Sequence, residues 1–263
     1  MHILVTNDDG IDSPGLWALA GALHAAGLGE VTIVAPEEEQ SGTSMGLPPR
    51  RDHSMRSVAA PDHAHAAIPA FTYSGTPVGC VTTAMLAGVC PRPDAVVSGI
   101  NRGLNSGTNV LLSGTVGAAT IGALWGLPAL AISLQFMGDA PMPWATAAWA
   151  ATQVFPLLGR LGGAPAVLNV NVPHRHERAE LLGFRQTRLS DFFYGDYLSV
   201  DADPPADDGR RALRFTFHRE KVPTFPPDTD DGAVRAGYVS VTPLSFLGPL
   251  DLDLSADLAR LNP

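Results

Sequence analysis

HILVTNDDGIDSPGLWALAGALHAAGLGEVTIVA, residues 2–35, opens the chain and decides its fold class. Residues 2–6 and 31–35 are short apolar runs rich in β-branched side chains, as buried strands are, and residues 14–26 between them space their apolar positions as a helix does. That is a strand–helix–strand unit. The pattern returns downstream with a strand at 95–98, a helix at 115–125, a strand at 129–133, a helix at 144–161 and a strand at 166–172. Strands alternating with helices of this length imply an α/β fold, with a doubly wound, mostly parallel sheet covered by helices on both faces. Residues 51–73 read as a small antiparallel excursion, and residues 76–88 as a helix begun by Thr76-Pro77.

The 263 residues suit a single domain, with a core over about 1–185 and a C-terminal β-rich extension over about 186–263. Beyond Phe184 the composition turns to Asp, Pro and aromatics, with one strand-like run at 212–218, as in an extended arm. Hydrophobic residues make up 45% of the chain and charged residues 16%, enough apolar material for such a sheet. The formal net charge is −9 and Lys221 is the sole lysine, so nothing holds a nucleic-acid backbone and no stable nucleic-acid partner is expected. No stretch is long and apolar enough for a membrane partner. The start of the chain has no leader-like segment, and Cys80 and Cys90 lack metal-ligand spacing, which together point to reduced thiols in a cytoplasmic protein.

Polar residues collect where the strands end. Of seven asparagines, Asn7, Asn101, Asn105, Asn109, Asn169 and Asn171 lie within or just after three expected strands. Open parallel sheets bind ligands beyond the carboxyl ends of their strands, and the loops bearing Asn7, Asp8 and Asp9, Ser41 and Asn101 would converge there. Asp8 and Asp9 repel each other unless a cation or donors compensate, and oxygen-only donors suit magnesium or manganese better than zinc. Asn-Asp-Asp-Gly also fits a tight turn in which an aspartate caps a helix. Ser113-Gly114-Thr115 opens a helix whose free N–H groups would hold an anion without a lysine, though an ordinary N-cap reads the same way.

Other motifs compete less well. Gly42-Thr43-Ser44-Met45-Gly46 matches the nucleophile elbow of serine hydrolases, but Ser44 lies well past the strand and Pro48-Pro49 follow it. No dinucleotide fingerprint or phosphate-loop lysine is present. The pairs His63/His65 and His174/His176 read as solvated loop histidines, and His218 as a possible acid at the arm's edge.

The opening Ile3-Leu4-Val5-Thr6-Asn7-Asp8-Asp9-Gly10-Ile11 resembles the signature of the SurE family, metal-dependent nucleotidases that dephosphorylate nucleoside monophosphates. Further matches follow in order: Gln40-Ser41-Gly42, Ser74-Gly75-Thr76-Pro77, Ser98-Gly99-Ile100-Asn101-Arg102-Gly103, Ser113-Gly114-Thr115-Val116, Asn169-Val170-Asn171-Val172-Pro173 and Gly237-Tyr238-Val239-Ser240. The resemblance implies a Rossmann-like core and one divalent cation per subunit, Mg2+ or Mn2+, held by Asp8, Asp9, Ser41 and Asn101. It also implies a 5′-nucleotidase activity and a C-terminal arm exchanged within a homodimer or homotetramer. On this reading Asp8 and Asp9 are catalytic, and Asn7, Gly42, Ser113, Gly114 and Thr115 bind the phosphate. Gly79 and Met45 depart from residues common in the family, which bears on substrate preference and loop geometry. A metal-dependent nucleotide-binding regulator without catalysis is the rival reading.

Overall fold

The structure, a computed structural model, describes residues 1–47, 52–247 and 252–262. Pro48, Pro49 and Arg51, which enter the expectations above, lie outside the described residues. In chain order the elements are β1 (His2–Thr6), α1 (Pro14–Ala25), β2 (Glu30–Pro36), β3 (Met55–Val58), β4 (Ala70–Tyr73), α2 (Pro77–Leu86), β5 (Ala95–Arg102), α3 (Gly114–Leu124), β6 (Ala129–Leu134), α4 (Trp144–Val154), β7 (Ala166–Val172), β8 (Phe184–Gln186), β9 (Leu198–Ala202), β10 (Leu213–Phe217), α5 (Asp230–Arg235), β11 (Val239–Ser245) and α6 (Ser255–Ala259).

Nine strands form one sheet in the order β3-β4-β2-β1-β5-β6-β7-β11-β8, parallel from β4 through β7. The chain builds outward from β1 through β2 to β4, then returns to β5 on the other side of β1 and builds the opposite way. The order therefore reverses between β1 and β5, and the crevice beyond their carboxyl ends is where such sheets take ligands. β1 shows how the two faces are covered. Ile3 and Val5 pack with Leu16, Leu19 and Leu23 of α1, and Leu4 between them points to the opposite layer with Val81 of α2 and Ala118 of α3. Strand alternation places both sets in the core because helices cover both faces.

The expected strands and helices of this core appear with small differences. The helix expected over 144–161 is α-helical only to Val154 and continues as 3-10 turns over Phe155–Leu161, where Pro156 removes a backbone donor. β5 runs on to Arg102, with a register shift between Ser98 and Asn101. At that shift Gly99 has φ +137°, and a Cβ there would lie 2.3 Å from the Ile132 carbonyl oxygen, so only glycine lets the strand turn Asn101 outward. The antiparallel excursion is β3 on β4, and β4 itself joins the main sheet beside β2. After residue 186, β9 and β10 form a separate two-stranded sheet, and β11 returns to pair with β7 and β8. Among the described residues no helix is long and apolar enough to cross a membrane.

Candidate active site

β1 ends in Thr6, and the next three residues supply the site's charge. Asn7 is fully buried and its Nδ2 donates to the Gly10 carbonyl at 2.8 Å, closing the turn that presents the two carboxylates. Its Oδ1 is buried without a protein partner among the described residues. Asp8 is 3% exposed, and its Oδ1 accepts the Thr115 hydroxyl from the first turn of α3. Asp9 is half-buried, and its Oδ2 accepts the Arg102 backbone N–H at 3.3 Å. Asn101, one residue earlier on β5, donates from Nδ2 to the Gly103 carbonyl at 2.9 Å, which leaves its Oδ1 as an acceptor. β1, β5 and α3 thus bring Asp8, Asp9, Asn101 and Thr115 together across the reversal point of the sheet.

Gly114 makes the approach of α3 possible. A Cβ at that position would lie 2.8 Å from Asp8 Cβ and 2.9 Å from Asp8 Oδ2. Ser113 caps the helix, its Oγ accepting the Val116 N–H at 3.0 Å, so the helix N-terminus and its dipole face the carboxylates. The loop after β2 reaches the same point through the Gln40 N–H, which donates to the Asp8 carbonyl at 2.7 Å. Ser41, one residue on, is exposed and turns its hydroxyl to Glu39 at 2.8 Å rather than to Asp8 or Asp9. Gly42 is exposed with φ +80° and open space around it.

The electrostatics ask for a cation. Burial raises the Asp8 carboxyl above its ordinary value, against the opposing Thr115 hydrogen bond. Burial and then the charge of Asp8 push Asp9 up to about 7, with Arg102 N–H opposing and Glu39 adding to the repulsion. Two desolvated carboxylates side by side are relieved by a divalent ion, and the donors here are carboxylate, amide and hydroxyl oxygens suited to a hard one. Among the described residues no group of three or more His, Cys, Asp and Glu side chains gathers in metal-ligand fashion, at this site or elsewhere, so a cation here would draw on amide and hydroxyl oxygens beside the two carboxylates.

The remaining asparagines are braces. Asn105 N–H donates to Asn171 Oδ1, its side chain donates to Ser133, and its carbonyl accepts both Asn169 and Asn171 amides. The scarce amides at the strand ends therefore divide between Asn7 and Asn101 at the site and a buried knot behind it. Asp230 and Asp231, which nothing in the sequence marks as special, are buried at the start of α5 and grip the same loop. Asp230 accepts the N–H groups of Gly107 and Ser190, both at 2.9 Å, and Asp231 accepts the hydroxyls of Ser106 and Ser190. Their one local signal is Thr229, which caps α5.

The competing motifs resolve structurally. Ser44 Oγ donates to the Leu111 carbonyl at 2.5 Å, and no imidazole is bonded to it among the described residues. His65 is not a solvated loop residue as expected, since it packs edge-on against Trp17 at 5.7 Å and pairs with Asp62. His174 is likewise half-buried, held by the Gln135 carbonyl at 3.0 Å, whereas His63 and His176 are exposed. His218 bonds Ser199 and Glu220 on the arm.

Comparison with known proteins places these features in context. The family model described as Survival protein SurE matches residues 3–196. The chain is 41% identical over 245 residues to the 5′-nucleotidase SurE of Alkalilimnicola ehrlichii, covering 93% of this chain and 89% of that one. It is 40% identical over 258 residues to the 5′-nucleotidase SurE 1 of Thermus thermophilus, covering 97% and 94%. Among solved structures, the SurE protein from Aquifex aeolicus superimposes with a TM-score of 0.73 at 30% identity, covering 99% of both chains.

Proposed function

The chain belongs to the SurE family, and from that premise we propose that it is a metal-dependent 5′-nucleotidase that hydrolyses nucleoside monophosphates to nucleoside and phosphate. Hydrolysis of phosphoric monoesters is the activity for which its relatives are named. The observation that carries the reading is the pair Asp8 and Asp9, one buried and the other half-buried at the reversal point of the sheet, with Asn101 and the N-terminus of α3 beside them. Asp8, Asp9, Asn101 and Ser41 are the proposed ligands of one Mg2+ or Mn2+ per subunit. To join the set, the exposed Ser41 hydroxyl would have to leave Glu39. The bound ion supplies a Lewis acid for a phosphoryl oxygen and acidifies water at neutral pH.

The protein's own groups account for the rest. The Thr115 hydroxyl and the Arg102 N–H fix the two carboxylates, so that Asp9, the more exposed of them, orients or deprotonates the attacking water. The backbone N–H groups of Gly114 and Thr115, with Gly42 and the Ser113 hydroxyl, are assigned to the phosphate, where the helix dipole offsets its charge; Asn7, expected there too, is fully buried with its amide on the Gly10 carbonyl and instead shapes the turn. A cytoplasmic location fits the two unpaired thiols. A homodimer or homotetramer joined through the β9–β10 arm fits the apolar side chains that arm exposes.

The test is phosphate release from a panel of nucleoside monophosphates with Mn2+, with Mg2+ and with EDTA, in the wild type and in Asp9→Asn. Release that needs metal and falls at least about 1000-fold in the variant is expected. A folded protein that binds nucleotide with metal but never releases phosphate would instead be the non-catalytic regulator.

A further inference from the structure

Beside the carboxylates lies a cavity of about 440 Å³, within the range of small-molecule sites. Its wall begins at Gly103 and Leu104, immediately past Asn101 and Arg102. Arg102 joins the two places, with its N–H on Asp9 and its guanidinium 4.5 Å over the ring of Phe136 in the cavity wall. Another part of the wall is Tyr194 stacked on Phe217, with centroids 4.6 Å apart and planes 16° apart. That wall is bolted to the loop leading from β5 to α3. Asn109 Oδ1 accepts the Tyr194 N–H at 2.9 Å, and the Thr108 N–H donates to the Phe192 carbonyl at 2.9 Å. A larger hollow of about 860 Å³ at the β3–β4 edge contains none of these groups.

We propose that this cavity seats the base of the nucleotide, as a stacking subsite that selects aromatic leaving groups by their faces and not by their edges. The inference rests on the nucleotidase reading and specifies how it chooses substrates. Phe136 and Tyr194 are 37% and 42% exposed although both are large and apolar, and aromatic surface left open in a concavity next to a polar site is what a planar ligand covers. Edge-reading groups are few. Both oxygens of Asp231 are engaged by Ser106 and Ser190, and the Gln135 amide oxygen accepts the His174 N–H at 3.1 Å, which leaves its NH2. Arg235, the charged donor of the lining, holds its guanidinium 5.4 Å over the ring of Phe225, so the aromatic faces outweigh the edge-reading groups, and the site accepts purines and pyrimidines alike and rejects esters that have no ring to stack.

The experiment compares kcat and KM of the full-length, Mn2+-loaded protein for AMP, CMP and ribose 5-phosphate, in the wild type, Tyr194→Leu and Phe136→Leu. The wild type is expected to favour both nucleotides over ribose 5-phosphate at least about 10-fold in kcat/KM, and AMP over CMP by no more than a few-fold. Each variant is expected to raise KM for AMP about 5- to 20-fold with little change in kcat, so that the ratio of AMP to ribose 5-phosphate specificity falls by the same factor. Equal kcat/KM for AMP and ribose 5-phosphate in the wild type, or variants that depress both substrates together, would overturn the subsite and leave the phosphatase standing. Strong discrimination between AMP and CMP would overturn the face-not-edge assignment. Absence of release from every ester sinks the nucleotidase reading, and the subsite with it.

Discussion

Burial and the charge of Asp8 push the Asp9 carboxyl up to about 7, so between its ordinary 3.8 and that point the folded chain keeps a proton the unfolded chain has lost. Stability from this group is therefore fully present below about pH 4 and is lost as pH rises through 7, a change on the order of 4 kcal/mol. The metal-free protein is expected to lose thermal stability across that window, Asp9→Asn to flatten the loss in part, and saturating Mn2+ to remove most of it. Asp8, Asp230 and Asp231 are raised too and contribute slope of the same sign. Thermal unfolding at a series of pH values in EDTA checks this, and a slope as steep in Asp9→Asn as in the wild type would count against it. Gly114 is the second residue to test. An Ala there drives its Cβ against the Asp8 carboxylate, and a displacement of about 1 Å at the site is expected to cost roughly 100-fold in kcat/KM.

Among the elements, the loop between β5 and α3 depends most on its neighbours. Asp230 reaches it from α5, and Asp230→Ala strands three buried N–H groups, those of Gly107, Ser190 and Asp231. The expected cost is about 2–5 kcal/mol, read as a fall in the denaturant midpoint at unchanged slope, with Asp230→Asn losing less because one acceptor remains. The amide knot behind the loop leads to a different measurement. Asn105 N–H is bonded to Asn171 and closed in by β6 and β7, so its hydrogen exchange should be as slow as that of the β7 amides although it lies in irregular chain. These elements also show what the sequence conveys. β1, β2 and β7 are contiguous apolar runs, and Asp8, Asp9 and Asn101 stand directly after such runs, so their positions follow from local pattern and sheet topology. The Asp230–Asp231 grip joins residues 123 and 125 positions apart, and a buried aspartate has the same composition signature as a solvated one. The aromatic cavity escapes notice for the same reason, its walls coming from separate segments on either side of β7.

At the scale of the whole molecule, the β9–β10 arm carries Val200, Leu213 and Phe215 at 50%, 57% and 65% exposure, with Phe215 directly opposite Val200. A two-stranded sheet with an uncovered apolar face is marginal alone and gains stability by docking. Phe215→Asp is expected to shift the sedimenting species to a smaller oligomer while leaving the unfolding of the main sheet in place, and an unchanged mass would contradict the arm's role. The place of β11 has a consequence for biosynthesis. It is made after both of its neighbours, yet it lies between β7 and β8, and the helix just before it closes the grip on Ser106 and Gly107. A nascent chain that still lacks residues 229–245 can assemble β1, β2, β5, β6 and β7 as it emerges, but its site loop stays unfastened and β8 has no strand to join. The chain therefore acquires an ordered site only once residues 229–245 have been made, and products terminated before them are born without one.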